Sequence, residues 1–112
     1  MASPAIISAL QAAVQAAPIA VRLTQYTSIF RQIIASSENL TDLSENLNAY
    51  TRTILEETLD FGQLLSLATA LNDAYRSMFR NMPFRPGFKP EVRQKLSSLL
   101  RSKFAVADRD LV

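Results

Sequence analysis

The stretch Ile54–Leu65, "ILEETLDFGQLL", decides the fold, because it lies in the middle of the most regular pattern in the chain. Positions 40, 47, 54, 61, 68, 75 and 82 are Leu, Leu, Ile, Phe, Ala, Tyr and Met, and positions 43, 50, 57, 64, 71 and 78 are Leu, Tyr, Glu, Leu, Leu and Met. Glu57 is the single departure from an apolar seam. A heptad sustained this far predicts one long helix over about 38–82, roughly 65 Å at 1.5 Å per residue, with a coiled-coil-like seam. Two residues oppose continuity. Gly62 costs ~1 kcal/mol relative to Ala in a helix interior, so a break near 60–63 is the alternative. Glu57 either specifies register, faced by a basic residue from another helix, or is carried to the surface by the drift of a straight helix.

Working outward, Ser36-Ser37-Glu38 and the polar run to Asp42 mark a turn and a new helix start, where acids oppose the positive end of the helix dipole. Upstream, Ser3-Pro4 opens a helix, and Pro18 divides it into about 4–16 and 18–35 because its ring crowds the preceding turn and it donates no hydrogen bond. Downstream, "MPFRPGFKP" at 82–90 reads as a stiff reversal. The residue before a proline is pushed out of helical geometry, Gly87 permits a tight turn, and Pro90 starts a last helix whose Val92, Leu96, Leu99, Leu100 and Phe104 share a face. Phe84 and Phe88 are expected to tuck into the helix ends, and the tail from Ala105 to fray.

Composition agrees with an all-α class and one domain over 1–112. Of 112 residues 48% are hydrophobic and only two are glycine, which suits neither disorder nor a turn-rich β fold. The chain has no Cys and no His, which removes disulfides, thiolate metal sites and the commonest general base. No S-x-x-K motif, glycine-rich phosphate loop or dinucleotide fingerprint is present. The acidic cluster Glu56, Glu57 and Asp60 is expected to be a solvated face rather than a metal site. Catalytic, metal and cofactor sites are therefore all expected to be none.

Residues 1–21 carry no charge. Ser8, Gln11, Gln15 and Pro18 interrupt them, and no basic segment precedes them, so a membrane span and a cleaved signal are both disfavoured. The acid-free first 37 residues, with Arg22 and Arg31, are poor in Arg for a transit peptide. An intracellular location, soluble or within a large assembly, is expected.

Charge is unevenly spread. Residues 1–75 hold three Arg against seven acids, and residues 76–112 hold nine Lys or Arg against three. Arg76, Arg80, Arg85, Lys89, Arg93, Lys95, Arg101 and Lys103, with Glu91 the one acid among them, form a basic end interleaved with Phe79, Phe84 and Phe88. These cations are candidates for binding a partner or nucleic acid, since several on one helix face reach phosphates and aromatics stack on bases. Arg76, Arg80, Arg93 and Arg101 are expected on solvent faces.

"LATALNDAYRSMFR" at 67–80, followed by "KPEVRQKL" at 89–96, resembles the long helix and the following short helix of the nodavirus silencing suppressors. The resemblance spans about a fifth of the chain, with a longer loop between its halves. It implies a dimeric helical protein that binds double-stranded RNA.

The expectation from sequence is a long central helix with N-terminal helices folded antiparallel on it and a short C-terminal helix over its far end. A single layer of helices leaves apolar faces uncovered, so the helical bundle is expected to be completed by oligomerisation, burying Leu47, Ile54, Leu64, Leu65, Leu71 and Phe79. The function expected first is a non-enzymatic assembly or adaptor protein, such as a small component of a virion or multisubunit complex. Its partners are further copies of itself or other subunits. The alternative is a nucleic-acid-binding helical dimer.

Overall fold

A computed structural model describes residues 18–81 and 87–104. The expected helix over 4–16, most of the proline-rich loop with Phe84 and Arg85, the side chain of Phe104 and the tail from Ala105 lie outside the described residues. Within them the protein is all-helical, with four helices and no strand: α1 Ile19–Ser36, α2 Leu40–Glu56, α3 Phe61–Asn81 and α4 Phe88–Phe104.

Helix α1 starts where Pro18 places it. The Pro18 carbonyl accepts from the N–H groups of Val21 and Arg22, both at 3.0 Å. The helix ends at Ser37, which turns extended (φ −69°, ψ 133°) while its hydroxyl donates back to the Ile33 carbonyl at 2.6 Å. Tyr26, Ile29, Phe30, Ile33 and Ile34 are its buried residues, at the helical spacing of a single face. Helix α2 is capped by Asn39, whose side-chain oxygen accepts from the Asp42 N–H at 2.8 Å, and Asp42 in turn accepts from the Glu38 N–H at 3.1 Å. Each capping bond of this kind is worth about 1 kcal/mol.

The long helix expected over 38–82 is not formed. It is broken at 57–60, ahead of Gly62 rather than at it. Glu57 turns extended (φ −71°, ψ 140°). Asp60 then opens α3 with a reciprocal pair: its carboxylate accepts from the Gln63 N–H at 2.8 Å, and the Gln63 side chain accepts from the Asp60 N–H at 3.0 Å. That is a capping box, satisfying donors that a helix start leaves free. Gly62 itself lies in the first turn of α3, and a Cβ there would meet Asp60 Oδ1 at an ordinary 3.5 Å.

The energetic reason is coverage. A straight helix would leave Leu47, Ile54, Leu67, Leu71 and Tyr75 along an unpartnered seam, whereas the break lets both halves bury them in one core. Each such side chain contributes ~1.5–3 kcal/mol on burial. The few helical hydrogen bonds forgone are worth ~1 kcal/mol each. Packing follows accordingly: α1 lies against α2 and α3, and α4 lies against the same two, so α2 and α3 are consecutive in sequence yet pack mainly through the other helices. The core runs through all four, from Tyr26 and Phe30 to Leu99 and Leu100.

At the far end Gly87 has φ 87°, a left-handed conformation open to glycine, and its carbonyl accepts from Glu91 N–H at 3.2 Å. Helix α4 thus begins at Phe88, two residues before Pro90, and Phe88 is buried as the sequence suggests. The two glycines should respond oppositely to alanine. Gly62→Ala is expected to stabilise by up to ~1 kcal/mol, and Gly87→Ala to destabilise by more than ~1 kcal/mol, as read from urea unfolding midpoints.

Candidate functional site

The break between α2 and α3 is held by side chains from the two outer helices. The Glu57 carboxylate accepts from Arg22 Nε at 2.9 Å, from Arg22 Nη2 at 3.4 Å and from the Tyr26 hydroxyl at 2.6 Å, all on α1. The sequence reading that a basic residue from another helix faces Glu57 identifies this pair, with Arg22 as the residue. From α4, Lys103 Nζ donates to the Leu55 carbonyl at 3.1 Å and to the Glu57 carbonyl. A cation here also meets the negative end of α2. Tyr50 stands behind the clamp, its hydroxyl donating to the Tyr26 carbonyl at 2.7 Å and its ring edge-on to Tyr26 at 6.2 Å.

The acidic cluster accordingly has structural work to do. Glu57 is bonded to α1 and Asp60 caps α3, and no group of three potential metal ligands occurs among the described residues.

The basic residues divide into two sets. Lys103 is occupied at the end of α2, and Lys95 pairs with Glu91 at 3.8 Å one turn earlier on α4. These two, expected to meet a partner, instead have partners inside the chain. The second set converges. Arg76 and Arg80 of α3 and Lys89 of α4 line one cavity of about 230 Å³ with Tyr75 and Phe79. Arg93 and Arg101 line a neighbouring cavity of about 310 Å³ with Pro90, Gln94 and Ser97. Arg80, Arg93 and Arg101 are exposed as expected and Lys89 is exposed too, but Arg76 is only partly so, with its Nε shielded from solvent. Arg85 lies outside the described residues.

Tyr75 links the two groups. It is 1% exposed and its ring packs on Phe79 at 5.2 Å. Burial pushes its phenol above the ordinary value and the nearby Arg93 guanidinium pulls it partly back. Sequence reasoning found the cations here but not the tyrosine, which the heptad counts simply as an apolar seam residue.

The apolar residues expected at an oligomer seam also divide. Leu47, Ile54 and Leu71 are fully buried within the chain, because the broken helix turns them onto the shared core, and they leave no surface for a second subunit. Leu64 and Phe79 are half-buried. Leu65 is 57% exposed, and beside the break so are two residues not singled out beforehand: Phe61 at 79% and Leu55 at 45%. No described helix is long and apolar enough to cross a membrane.

Compared with known proteins, the chain matches no family model, no curated protein and no solved structure. The local resemblance of 67–80 and 89–96 to the nodavirus suppressors stands on those residues alone.

Two outcomes follow from this geometry. Glu57→Ala should cost about 2 kcal/mol, since hydrogen bonds to a charged acceptor are worth ~1.5–3 kcal/mol; an Arg22/Glu57 double-mutant cycle should return a favourable coupling of at least ~0.5 kcal/mol in unfolding free energy. Tyr50 gives a pH dependence. Burial first, and the neighbouring Tyr26 second, raise its pKa well above the usual value. The unfolded chain then loses the phenolic proton first, so stability is full below about pH 10 and falls as pH rises beyond it. Urea midpoints between pH 8 and 11 should show that decline, and Tyr50→Phe should reduce its slope.

Proposed function

We propose that this chain is a non-enzymatic helical assembly protein, a small component or adaptor of a larger complex such as a virion or multisubunit machine, with a second copy of itself as its first partner. The observation that carries this reading is Phe61, 79% exposed, with Leu65 one turn further along α3 at 57%. An i, i+4 apolar pair on one helix face is a hydrophobic surface of the kind that marks protein contacts. The absence of His and Cys from the sequence agrees with a protein that binds rather than catalyses. Sedimentation velocity at micromolar concentration tests it. The wild type should self-associate, and Phe61→Asp with Leu65→Asp should sediment as a monomer of unchanged helix content; a wild type that stays monomeric removes the reading.

A second reading, nucleic-acid binding, is favoured by the gathering of Arg76, Arg80 and Lys89 around one cavity and of Arg93 and Arg101 around the next. Phosphate contacts made by such a face release counterions, so log K should fall by ~0.9 per contact on a duplex as log salt rises. Mobility-shift titrations with duplex DNA, double-stranded RNA and single strands at low and physiological salt are the check. Charge reversal at Arg80, Lys89 and Arg93 should abolish a shift, and no shift at low salt rejects this second reading.

A further inference from the structure

Among the described residues the α3–α4 cavity stands apart in the state of its buried donors. Nearly everywhere else a strong buried donor is used: Tyr26 bonds Glu57, Tyr50 bonds a carbonyl, and Ser37 bonds Ile33. Here two donors on consecutive residues are shielded from solvent and unbonded among the described residues, the Tyr75 hydroxyl and Arg76 Nε. A buried donor without an acceptor is costly, and more so when it belongs to a charged group. Folding would remove such a cost cheaply by placing a carboxylate nearby, as it does for Arg22. No described carboxylate pairs with Arg76, Arg80, Lys89 or Arg93. The cavity therefore carries positive charge, and two of the residues that line it hold shielded donors without an acceptor.

We propose that the cavity lined by Tyr75, Arg76, Phe79, Arg80 and Lys89 is a binding site for a single phosphate group. Tyr75 and Arg76 are its fixed donors, and Arg80 and Lys89 supply charge at its mouth. Phe79, packed on the Tyr75 ring, holds the phenol in place. A guanidinium presents its N–H groups as a planar fork matched to two oxygens of a phosphate, and a phenol donates to a third. A carboxylate would bring one negative charge to a site lined by three cations, whereas a phosphate monoester brings nearly two. The space suffices, since about 230 Å³ exceeds several waters at ~30 Å³ each. The group is presented either by a small phosphomonoester or by the backbone of a nucleic acid strand. The site is independent of the Phe61 surface.

The test uses the whole chain labelled with ¹⁵N and follows the Arg76 Nε–Hε resonance, with chloride as the control at constant ionic strength. Three probes are added separately: inorganic phosphate, a nucleoside monophosphate, and a single-stranded oligonucleotide lacking terminal phosphates. A saturable shift with the first two establishes the site and assigns it to phosphomonoesters; a saturable shift with all three extends it to backbone phosphates. Tyr75→Phe keeps the buried ring and removes one bond to a charged ligand, so phosphate affinity should fall about tenfold. The free variant should melt no lower than the wild type, because the hydroxyl it loses has no partner. A merely structural tyrosine would instead lose stability. Lys89→Ala, at an exposed position, should weaken phosphate binding without changing the melt.

No saturable shift with phosphate, an equal shift with chloride, or undiminished affinity in Tyr75→Phe overturns the proposal. A shift by the oligonucleotide alone also overturns it, while leaving the nucleic-acid reading intact. Loss of self-association in the Phe61 and Leu65 variant bears on neither result.

Discussion

The fold rests on the Glu57 carboxylate and the three groups it receives from α1. An extended residue at the end of α2 exposes carbonyls and a charge that a continuous helix would have kept in register. Arg22 and Tyr26, 35 and 31 residues away in sequence, satisfy the carboxylate, and Lys103, 46 residues away, takes the carbonyl. The Glu57 side chain is 12% exposed, so this ion pair is shielded from salt more than a surface pair would be. Three of the four helices are tied together where the fourth begins. Without that tie, the Asp60–Gln63 capping box is the local feature left to oppose residues 54–64 following their heptad and straightening.

What could be read from the sequence was what is decided locally. Pro18, the polar turn before Leu40 and Gly87 each mark a boundary found in the structure, because each acts through its own backbone or its neighbours. The break was hidden for the opposite reason. Heptad spacing records which side chains are apolar, and Leu47, Ile54, Leu71 and Tyr75 are buried whether a partner chain or the folded-back half covers them. One local signal was present. Asp60 and Gln63 stand three apart, the spacing of a capping box, but the apolar period runs straight across them.

The basic end shows the same division. Clustering of Arg76, Arg80 and Lys89 follows from their positions at the end of one helix and the start of the next. The diversion of Lys103 to the end of α2 depends on α4 crossing there, which no spacing in the sequence reveals. The partial burial of Arg76 is likewise a property of the assembled core. Formal charge thus overstates the surface available to an anion: some cations hold the fold together, and others have no carboxylate to hold.

The arrangement in which α2 and α3 are consecutive but not direct neighbours also bears on how the chain folds. α1 packs on α2 and α3 packs on α4, so each half of the chain contains one helix pair closed by a short connection. The remaining contacts, α1 with α3 and α2 with α4, join residues far apart in sequence and form only when the two halves meet. Short closures are entropically cheap and long ones are not. By this locality the two helix pairs are expected to dock late in folding: the Glu57 bonds to Arg22 and Tyr26 lie within the first pair, whereas the Lys103 bonds to the end of α2 form only when the halves meet, so that loss of Lys103 should accelerate unfolding while leaving the folding rate largely as it was.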